Sequence, residues 1–578
     1  MSAAKTIVLK FGSSVLRTER DLPQVVQEVY RVWRTGDHVV VVVSAFGDTT
    51  DQLIGQATRI CADPDEVALA TLLATGETTA SALLALALHR AGIPVKLFDA
   101  AQAGLQTVGS VTDAELIALD TECLRSELQH SVIVMPGFIG RDSQNRTTLL
   151  GRGGSDFTAA FVAHQIGGRC VLIKDVDGLY ASDPAKTSKR PARFREVTYE
   201  TACLIGNPLI QTKAIHFAAT HRLPLAITSI GADSETKIGC ELDRIARPNS
   251  GELPLNVALL GCGTVGGGVY DRLRSLPTAF VITGVGVRDR KRIRFPSVAD
   301  ELLTEDLDEL IDRPGDVVVE LIGGTTRAYE LVRRALHTGR HVVTANKALL
   351  ATHGEQLQSI AAENGVALLS SAAVGGALPA LETIERAKGT GPIRSVSAVL
   401  NATSNFVLDE IAAGSEFQDA VSAAQKNGYA EEDPSLDLDG TDAAQKLILV
   451  ARLAFGVSIP FESIRREGID GFMAADAQAA RDRGTRLRLI ATCRRTAHGF
   501  EACVVPEELP ENHPLASVAG AQNRIFVELM SGETFVVSGI GAGRWPTTEA
   551  IMADLIDIRR ERFAEQKEVT QAEEECVA

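Results

Sequence analysis

Apolar positions along this chain follow two spacings. Short β-branched runs punctuate residues 1–245: IVLKF, HVVVVVSAF, PVKLFD, SVIVMPGFIG, CVLIKDVDG and LPLAITS. Between them, ERDLPQVVQEVYRVWR, ALATLLATGETTASALLALALHRAG and SDFTAAFVAHQIG carry helical spacing. Buried runs bounded by turn residues read as strands, and strands alternating with helices predict α/β order with a mostly parallel sheet. The pattern restarts at residue 255 with NVALLG, VITGVGVR, VVVELIG, HVVTAN and VALLSS. After residue 390 it changes. SVSAVLNATSNFVLDEIAAG and DAAQKLILVARLAFG read as helical, RIFVELM and TFVVSGIGAG as β-like, and AIMADLIDIRRERF as a final helix. This divides the chain into an α/β domain at 1–245 and a linker at 246–254, where ARPNSGELP is polar with two prolines. A second α/β domain follows at 255–385, rejoined by 540–562. An α+β domain fills 386–539, and an acidic tail at 563–578 is expected to fray.

Length and charge narrow the classes. A chain of 578 residues predicts about three or four domains. A net charge of -16 argues against a general nucleic-acid binder, which needs a basic surface. The nine cysteines are odd in number and scattered singly with no CxxC, which argues against a disulfide framework or a structural zinc site. MSAAKTIVLKFG lacks the basic start and apolar run of a signal peptide. LLALAL (83–88) reads as part of an amphipathic helix, too short to span a bilayer. A cytoplasmic protein acting on small molecules, with no nucleic-acid or membrane partner, is the expectation.

The stretch LLGCGTVGGGVY (259–270) places Gly261-x-Gly263-x-x-Gly266 after a strand and at the start of a helix. Glycines there permit a tight turn and close backbone approach to a pyrophosphate, and the helix N-terminus adds its amides. The next strand ends GVGVRDRKRIR. An NAD enzyme usually carries an acid at that tip, but here Arg288 comes first, followed by Arg290, Lys291 and Arg292. Basic groups suit a 2′-phosphate, so NADP(H) is favoured, while Asp289 keeps NAD(H) open.

Three further stretches are HVVTANKALLA (341–351), VLNATSNFVL (399–408) and GYAEEDPSLDLDGTDAAQKLILVARLAFG (428–456). With the glycine turn and GIGAGRWPTTEAIMADL, they make residues 255–560 resemble homoserine dehydrogenase. The resemblance implies reduction of aspartate β-semialdehyde to homoserine, in threonine and methionine biosynthesis. Hydride transfer leaves negative charge on the carbonyl oxygen, which must be stabilised and protonated. Lys347 and Lys446 match the family's two active-site lysines. Glu431, Asp437 and Asp442 match acidic positions expected to hold the substrate ammonium and tune the lysines, and Tyr429 and Thr403 line the same site. An Asp442–Lys446 helix pair alone would be worth only about 0.3–0.5 kcal/mol; the surrounding motif gives it meaning. Cofactor contacts are expected from Gly261, Gly263, Thr264, Val265, Gly266, Arg288, Gly323, Thr325, Lys347 and Gly541. Two departures stand out. Ser371 occupies a position that is often acidic, beside a monovalent-cation site, leaving the carbonyls of Val374, Gly376 and Leu378 to hold Na⁺ or K⁺ more weakly. Ala402 replaces a usual glycine in NATSN.

LLGRGGSDFTAA (149–160) is glycine-rich but lacks both GxGxxG and GKS/T, so it is not a P-loop. It places Arg152 and Asp156 beside flexible amides at a helix start, which suits an anion. With TIVLKFGSS, VVVVSAFGDTTDQL, LATGETTAS and KDVDGLYASDP, residues 5–240 resemble aspartokinase of the three-layer amino-acid kinase fold. The resemblance implies that aspartate attacks the γ-phosphate of ATP. Lys10 would contact the transferring group and Asp156 would orient the reactants. Glu77 and Arg152 would hold the amino acid, with Thr50 and Ser44 beside it. Lys10, Gly12, Asp175, Tyr180 and Asp183 would contact the nucleotide, and Mg²⁺ would arrive with ATP. The departures are a first loop one residue short (KFGSSV), and Pro208 and Gln211 in place of a lysine and a histidine. Lys213 or Lys174 is the expected compensation. The short linker leaves no room for the paired ACT regulatory domains of related kinases.

Together these resemblances imply a bifunctional aspartokinase–homoserine dehydrogenase, assembled as a homo-oligomer (dimer or tetramer). The alternatives are a homoserine dehydrogenase carrying a non-catalytic kinase-like assembly or sensing module, and an unrelated NADP reductase. The two reactions are not consecutive: an intervening reduction of β-aspartyl phosphate needs a third activity, which no segment here resembles.

Overall fold

The computed structural model describes residues 4–182, 184–186, 191–206, 209–232, 234–246 and 253–577. The chain forms two compact units, Ser2–Glu252 and Leu253–Ala578. The linker residues 247–252 lie outside the described residues.

The N-terminal unit is built on thirteen strands. They are β1 (Thr6–Phe11), β2 (His38–Val43), β3 (Val95–Leu97), β4 (Gln106–Gly109), β5 (Ala114–Ala118), β6 (Val132–Pro136) and β7 (Ile139–Arg141). Then come β8 (Thr147–Leu149), β9 (Arg169–Lys174), β10 (Phe194–Val197), β11 (Leu225–Ser229), β12 (Thr236–Ile238) and β13 (Arg244–Ile245). Nine form one sheet in the order β13-β10-β12-β11-β9-β1-β2-β6-β3. It is parallel except where β12 meets β11 and β13 meets β10. The run HVVVVV is buried from Val39 to Val43, as a central parallel strand covered on both faces must be. A second sheet, β5-β4-β7-β8, was not foreseen. Its strands are short; β4 and β5 alternate exposed with buried residues, and β7 begins within the end of the SVIVMPGFIG run and so was not separable from β6.

Helix α1 (Glu66–Arg90) is 25 residues long, and by length and composition it could cross a membrane. The long helix expected around LLALAL is present, but its apolar length exceeds that run; it packs along β6 and β8, burying Leu73, Glu77, Ala80, Leu84 and Leu88. Helix α2 (Gly154–Ile166) is buried from Gly154 to Ala163. Gly153 enters it at φ 79°, in the left-handed region that favours glycine.

The C-terminal unit opens with β14 (Leu255–Leu260), α3 (Thr264–Arg274), β15 (Phe280–Gly286), β16 (Leu303–Thr304), β17 (Val317–Glu320) and α4 (Thr326–His337). It continues with β18 (His341–Thr344), α5 (Lys347–Glu363) and β19 (Leu368–Leu369). These strands form a wholly parallel sheet, β16-β15-β14-β17-β18-β19. That is the dinucleotide-binding order, in which ligands sit where strand order reverses, here between β14 and β17. A second sheet follows: β20 (Ile393–Val399), β21 (Arg465–Arg466), β22 (Thr485–Thr496), β23 (Gly499–Pro510), β24 (Gln522–Leu529) and β25 (Thr534–Ile540), in the order β21-β23-β22-β20-β24-β25. Helices α6 (Ala402–Ala412) and α7 (Thr441–Phe455) belong to this half, and α8 (Arg544–Val577) closes the chain.

Two expectations need correction. SVSAV is strand, not helix: it forms the last five residues of β20, between β22 and β24. Only from Ala402 does the segment become helical, because Asn401 caps α6 by accepting from Ser404 N at 2.8 Å. The acidic tail continues α8 to Val577, consistent with its Gln, Lys, Glu and Ala content.

Candidate active sites

In the N-terminal unit, Lys10 lies near the end of β1 and Lys174 ends the neighbouring β9. The first turn of α2 brings Asp156 between them. Lys10 Nζ lies 2.8 Å from Asp156 Oδ1 and Lys174 Nζ 2.9 Å from Oδ2, all three residues being buried. Burial pushes the Asp156 carboxyl upward, but the two ammoniums outweigh it and hold the group at about 2. Burial also lowers Lys10. A Cβ at Gly12 would stand 2.8 Å from the Lys10 ammonium, which explains the glycine in KFG.

These groups open into a cleft of about 1290 Å³. Gly12, Ser44, Thr50, Glu77, Arg152, Asp175 and Tyr180 all line it, so the expected kinase residues converge. Glu77 is buried. Its Oε1 accepts from Ala45 N at 3.4 Å, while Oε2 has no hydrogen-bond partner. Burial raises this carboxyl to about 7. Tyr180 donates to Asp177 at 2.6 Å. Asp183 and Pro208 lie outside the described residues. Of the two lysines expected to compensate for Pro208, Lys174 is in the cleft. Lys213 is not: it is held by Asp113 (3.1 Å), Glu115 (3.0 Å) and the carbonyls of Ala114 and Leu150. Gln211 packs against the entrance of α2, where a Cβ on Gly153 would meet its side chain.

In the C-terminal unit, Lys347 begins α5, and Asp442 and Lys446 lie one turn apart on α7. Asp442 serves both lysines, Lys347 Nζ at 2.9 Å on Oδ1 and Lys446 Nζ at 2.7 Å on Oδ2. Lys446 also donates to the Leu400 carbonyl at 2.7 Å. Asn401 Nδ2 donates to Asp442 (2.8 Å) and to Asp437 (2.6 Å). Thr403 Oγ1 lies 2.6 Å from the Tyr429 carbonyl and 3.1 Å from Asp437. The Tyr429 ring rests 4.7 Å from Phe406. Burial raises the Asp442 carboxyl, but the two ammoniums outweigh it and hold it well below the usual range. Burial pushes Asp437 up. Lys347 is lowered by burial and raised more by Asp442, Asp437 and Glu431, so it ends above its ordinary value. Glu431 is exposed at the rim.

The glycine turn is tight, and its middle glycine leaves space in front of the helix start. Gly261 has φ 102°, and a Cβ there would meet the Leu321 carbonyl oxygen at 2.7 Å. A Cβ on Gly266 would meet the Gly261 oxygen at 2.1 Å, whereas Gly263 faces open space. Thr264 and Val265 begin α3 with their amides at its N-terminus. Across the switch point, Gly323 (φ 71°) also faces open space, just before Thr325 at the start of α4. Arg288 follows β15 and is exposed, as is Arg292, and neither forms an ion pair among the described residues. Arg290 is occupied by the Asp300 carbonyl at 2.9 Å. Gly541 leaves room for the Asn523 amide, which would lie 2.0 Å from a Cβ.

The Ser371 reading is modified. Asp554 of α8 accepts from Ser371 Oγ (2.7 Å) and Ser371 N (3.1 Å), so a carboxylate reaches this segment from elsewhere in the chain. The backbone from Gly376 to Leu378 is pinned, with Gly376 N on Gly541 O and Ala377 N on Ile540 O, both at 2.9 Å. The Leu378 carbonyl accepts from Ala380 N at 2.7 Å. Sequence reasoning passed over Asn401, Asn523, Glu320 and Asp554. The signal for Asn401 was its place before a helix in NATSN, and for Glu320 a lone charge closing VVVE.

Comparison with known proteins agrees with this geometry. Residues 5–229 match the amino acid kinase family. Residues 261–370 match the homoserine dehydrogenase NAD-binding domain, and 379–556 match homoserine dehydrogenase. The chain is 37% identical over 316 residues to a homoserine dehydrogenase of Pseudomonas aeruginosa, covering 53% of this chain and 73% of that one. It is 38% identical over 323 residues to that of Corynebacterium glutamicum, covering 53% and 72%. The crystal structure of the Thiobacillus denitrificans homoserine dehydrogenase aligns with TM-score 0.51 and 37% identity, over 54% of this chain and 74% of that one. Two dehydrogenase matches on the C-terminal unit and a kinase-family match on the N-terminal one account for both constellations, and the chain belongs to the homoserine dehydrogenase family, carrying an amino acid kinase domain ahead of its dehydrogenase.

Proposed function

We propose that the C-terminal unit reduces L-aspartate 4-semialdehyde to L-homoserine and that the N-terminal unit phosphorylates L-aspartate with ATP. The observation that carries the first reading is Asp442 holding Lys347 and Lys446 together. An ammonium has three donors. Two of those on Lys446 go to Asp442 and Leu400, which leaves one for the substrate carbonyl oxygen. As the aldehyde carbon becomes an alcohol carbon, that oxygen gains charge, which Lys446 and Lys347 offset, and one of them delivers the proton. Asp437 and Glu431 face the substrate ammonium, while Thr403 and Tyr429 shape the wall. The nicotinamide, when bound, supplies the hydride. Gly261, Gly263, Thr264, Val265, Gly266, Gly323, Thr325 and Gly541 would hold the dinucleotide, and exposed Arg288 and Arg292 favour NADP(H) over NAD(H). The carbonyls of Val374, Gly376 and Leu378, with Asp554 beside Ser371, would hold Na⁺ or K⁺.

In the N-terminal unit, a β-carboxylate oxygen of aspartate attacks the γ-phosphorus of ATP, and ADP leaves with the electron pair of the broken P–O bond. Lys10 and Lys174 neutralise charge on the transferring group, and Asp156 sets their positions. The unpaired Glu77 Oε2 is an acceptor for the substrate ammonium, and Arg152 pairs with its carboxylate. Asp175 and Tyr180 line the nucleotide side. Mg²⁺ would arrive with the nucleotide and offset its phosphate charge. The intact Lys10–Asp156–Lys174 set favours a working kinase over a non-catalytic module. We infer a cytoplasmic homo-oligomer acting on small molecules. The test is two assays on the intact chain: NADPH-dependent semialdehyde reduction, lost in Lys446→Ala, and aspartyl hydroxamate formation, lost in Asp156→Ala. Normal reduction by Lys446→Ala refutes the first reading. Hydroxamate no greater than that of Asp156→Ala refutes the second.

A further inference from the structure

Glu320 closes β17 with its side chain fully buried. Among the described residues no cationic side chain pairs with it. A buried carboxylate without a counter-ion persists only when donors surround it. Here the donors come from two different turns. Oε1 accepts from Ile322 N (2.9 Å) and Gly323 N (3.1 Å), the turn after β17. Oε2 accepts from Thr344 Oγ1 at 2.6 Å, the end of β18.

Asn346 extends the link. Its N donates to Thr344 Oγ1 at 3.0 Å, and its Nδ2 donates to the Gly324 carbonyl at 2.8 Å, with Glu320 Oε1 at 3.5 Å. Its Oδ1 accepts from Leu349 N at 3.1 Å and so caps α5, whose first residue is Lys347. One carboxylate therefore ties the glycine turn at 321–324 to the turn that delivers Lys347 to Asp442. A neutral amide could not reproduce this, because only a carboxylate accepts at both oxygens.

We propose that Glu320 is a positioning residue for the reductase: it fixes Lys347 relative to the cofactor-facing turn at Gly323–Thr325, so that the proton donor and the hydride face of the site stay in register. The proposal rests on the reductase reading above. The Glu320 side chain is fully buried and bonded to the two turns, so it acts through them.

The experiment compares the intact wild-type chain with Glu320→Gln and Thr344→Val. The first readout is hydrogen–deuterium exchange without cofactor. Faster exchange is expected at both 321–325 and 345–349 in Glu320→Gln, and mainly at 345–349 in Thr344→Val. The second is steady-state kinetics. Glu320→Gln lowers kcat about 10- to 100-fold and raises the cofactor KM, because both turns loosen. Thr344→Val lowers kcat about 10-fold with the cofactor KM near wild type, because the bonds to Ile322 and Gly323 survive. Exchange confined to one turn in Glu320→Gln overturns the proposal. So does wild-type kcat per active site in Thr344→Val, or a lowered melting temperature with unchanged kcat in either variant. If Glu320→Gln does not fold, Thr344→Val decides alone. If the wild-type chain does not reduce the semialdehyde, the reductase reading falls while the exchange data still decide whether Glu320 joins the turns.

Discussion

Replacing Asp442 by Asn keeps the shape of the site proposed for the dehydrogenase and removes the carboxylate that joins Lys347 and Lys446. Asp442 accepts from Lys347 at 2.9 Å and Lys446 at 2.7 Å. At an effective dielectric of about 20, each such pair is worth roughly 6 kcal/mol gross, most of it offset by desolvation. Lys446 is 9% exposed and Lys347 38%, so the Lys347 pair is discounted for solvent screening. Leaving Lys446 buried without its counter-charge costs about 3 kcal/mol, at the low end for broken buried pairs. The reductase should lose about 100-fold in kcat, because Lys446 and Lys347 now repel and drift from the carbonyl position. The pH signature is specific. The folded-state pKa of Lys347 is raised, so its favourable interaction is complete below the ordinary lysine value near 10.5 and is lost only as pH rises past the folded value. In Asp442→Asn the largest raising influence is gone, and the alkaline limb of kcat/KM must move to lower pH. Denaturant unfolding and pH–rate profiles of the intact chain measure both effects. A folded Asp442→Asn variant with an unmoved alkaline limb and near-normal kcat would refute the reasoning.

Other outcomes follow from the same geometry. Glu77 has a folded pKa of about 7, above its unfolded value of 4.5, so stability is full below the unfolded value and declines as pH rises through 7. The loss is roughly 3 kcal/mol, since Glu77 is nearly unexposed. Glu77→Gln should flatten the fall in melting temperature of the N-terminal unit between pH 5 and 8, and equal slopes in both proteins would count against it. Lys10→Met should abolish aspartyl hydroxamate formation while NADPH-dependent reduction proceeds at the wild-type rate; loss of both activities would show that the two sites are not independent. Arg288→Ser should raise the KM for NADPH by about 10-fold and leave that for NADH nearly unchanged, the expected loss of one exposed charge–phosphate contact. A parallel rise for both cofactors would remove Arg288 from the 2′-phosphate.

The sequence was most legible where burial writes a simple pattern. Val39–Val43, Val257–Leu260 and Val317–Val319 are apolar because parallel strands are covered on both faces, and each was readable as a strand. It was least legible where strands have a wet face. In β22 and β23, Arg486, Arg494, Glu501 and Glu508 interrupt the apolar run; Arg494 pairs with Glu501 across the hairpin, and Glu508 with Arg483 just before β22. SVSAV misled because its alternation is too short to separate from the helix that follows. In the sites, residues inside compact motifs such as GTDAAQK were readable, whereas second-layer groups were not. Asn523 reaches the Leu400 carbonyl across 123 positions, and Asp554 reaches Ser371 across 183. No local pattern announces such contacts.

Helix α8 carries a consequence for how the protein is made. Glu549 accepts from Arg272 of α3 at 2.6 Å with both side chains buried, and the Trp545 ring lies 4.9 Å from the same guanidinium. A Cβ on Gly268 would stand 2.3 Å from Thr548. Helix α3 is thus covered by a helix whose contacting residue lies 277 positions later in the chain. During translation, residues 255–370 must wait with Arg272 unpaired until Glu549 has left the ribosome, while every strand of the N-terminal unit is already complete by Ile245. Premature termination before residue 544 would therefore leave Arg272 without Glu549 and Trp545, and Gly268 without Thr548.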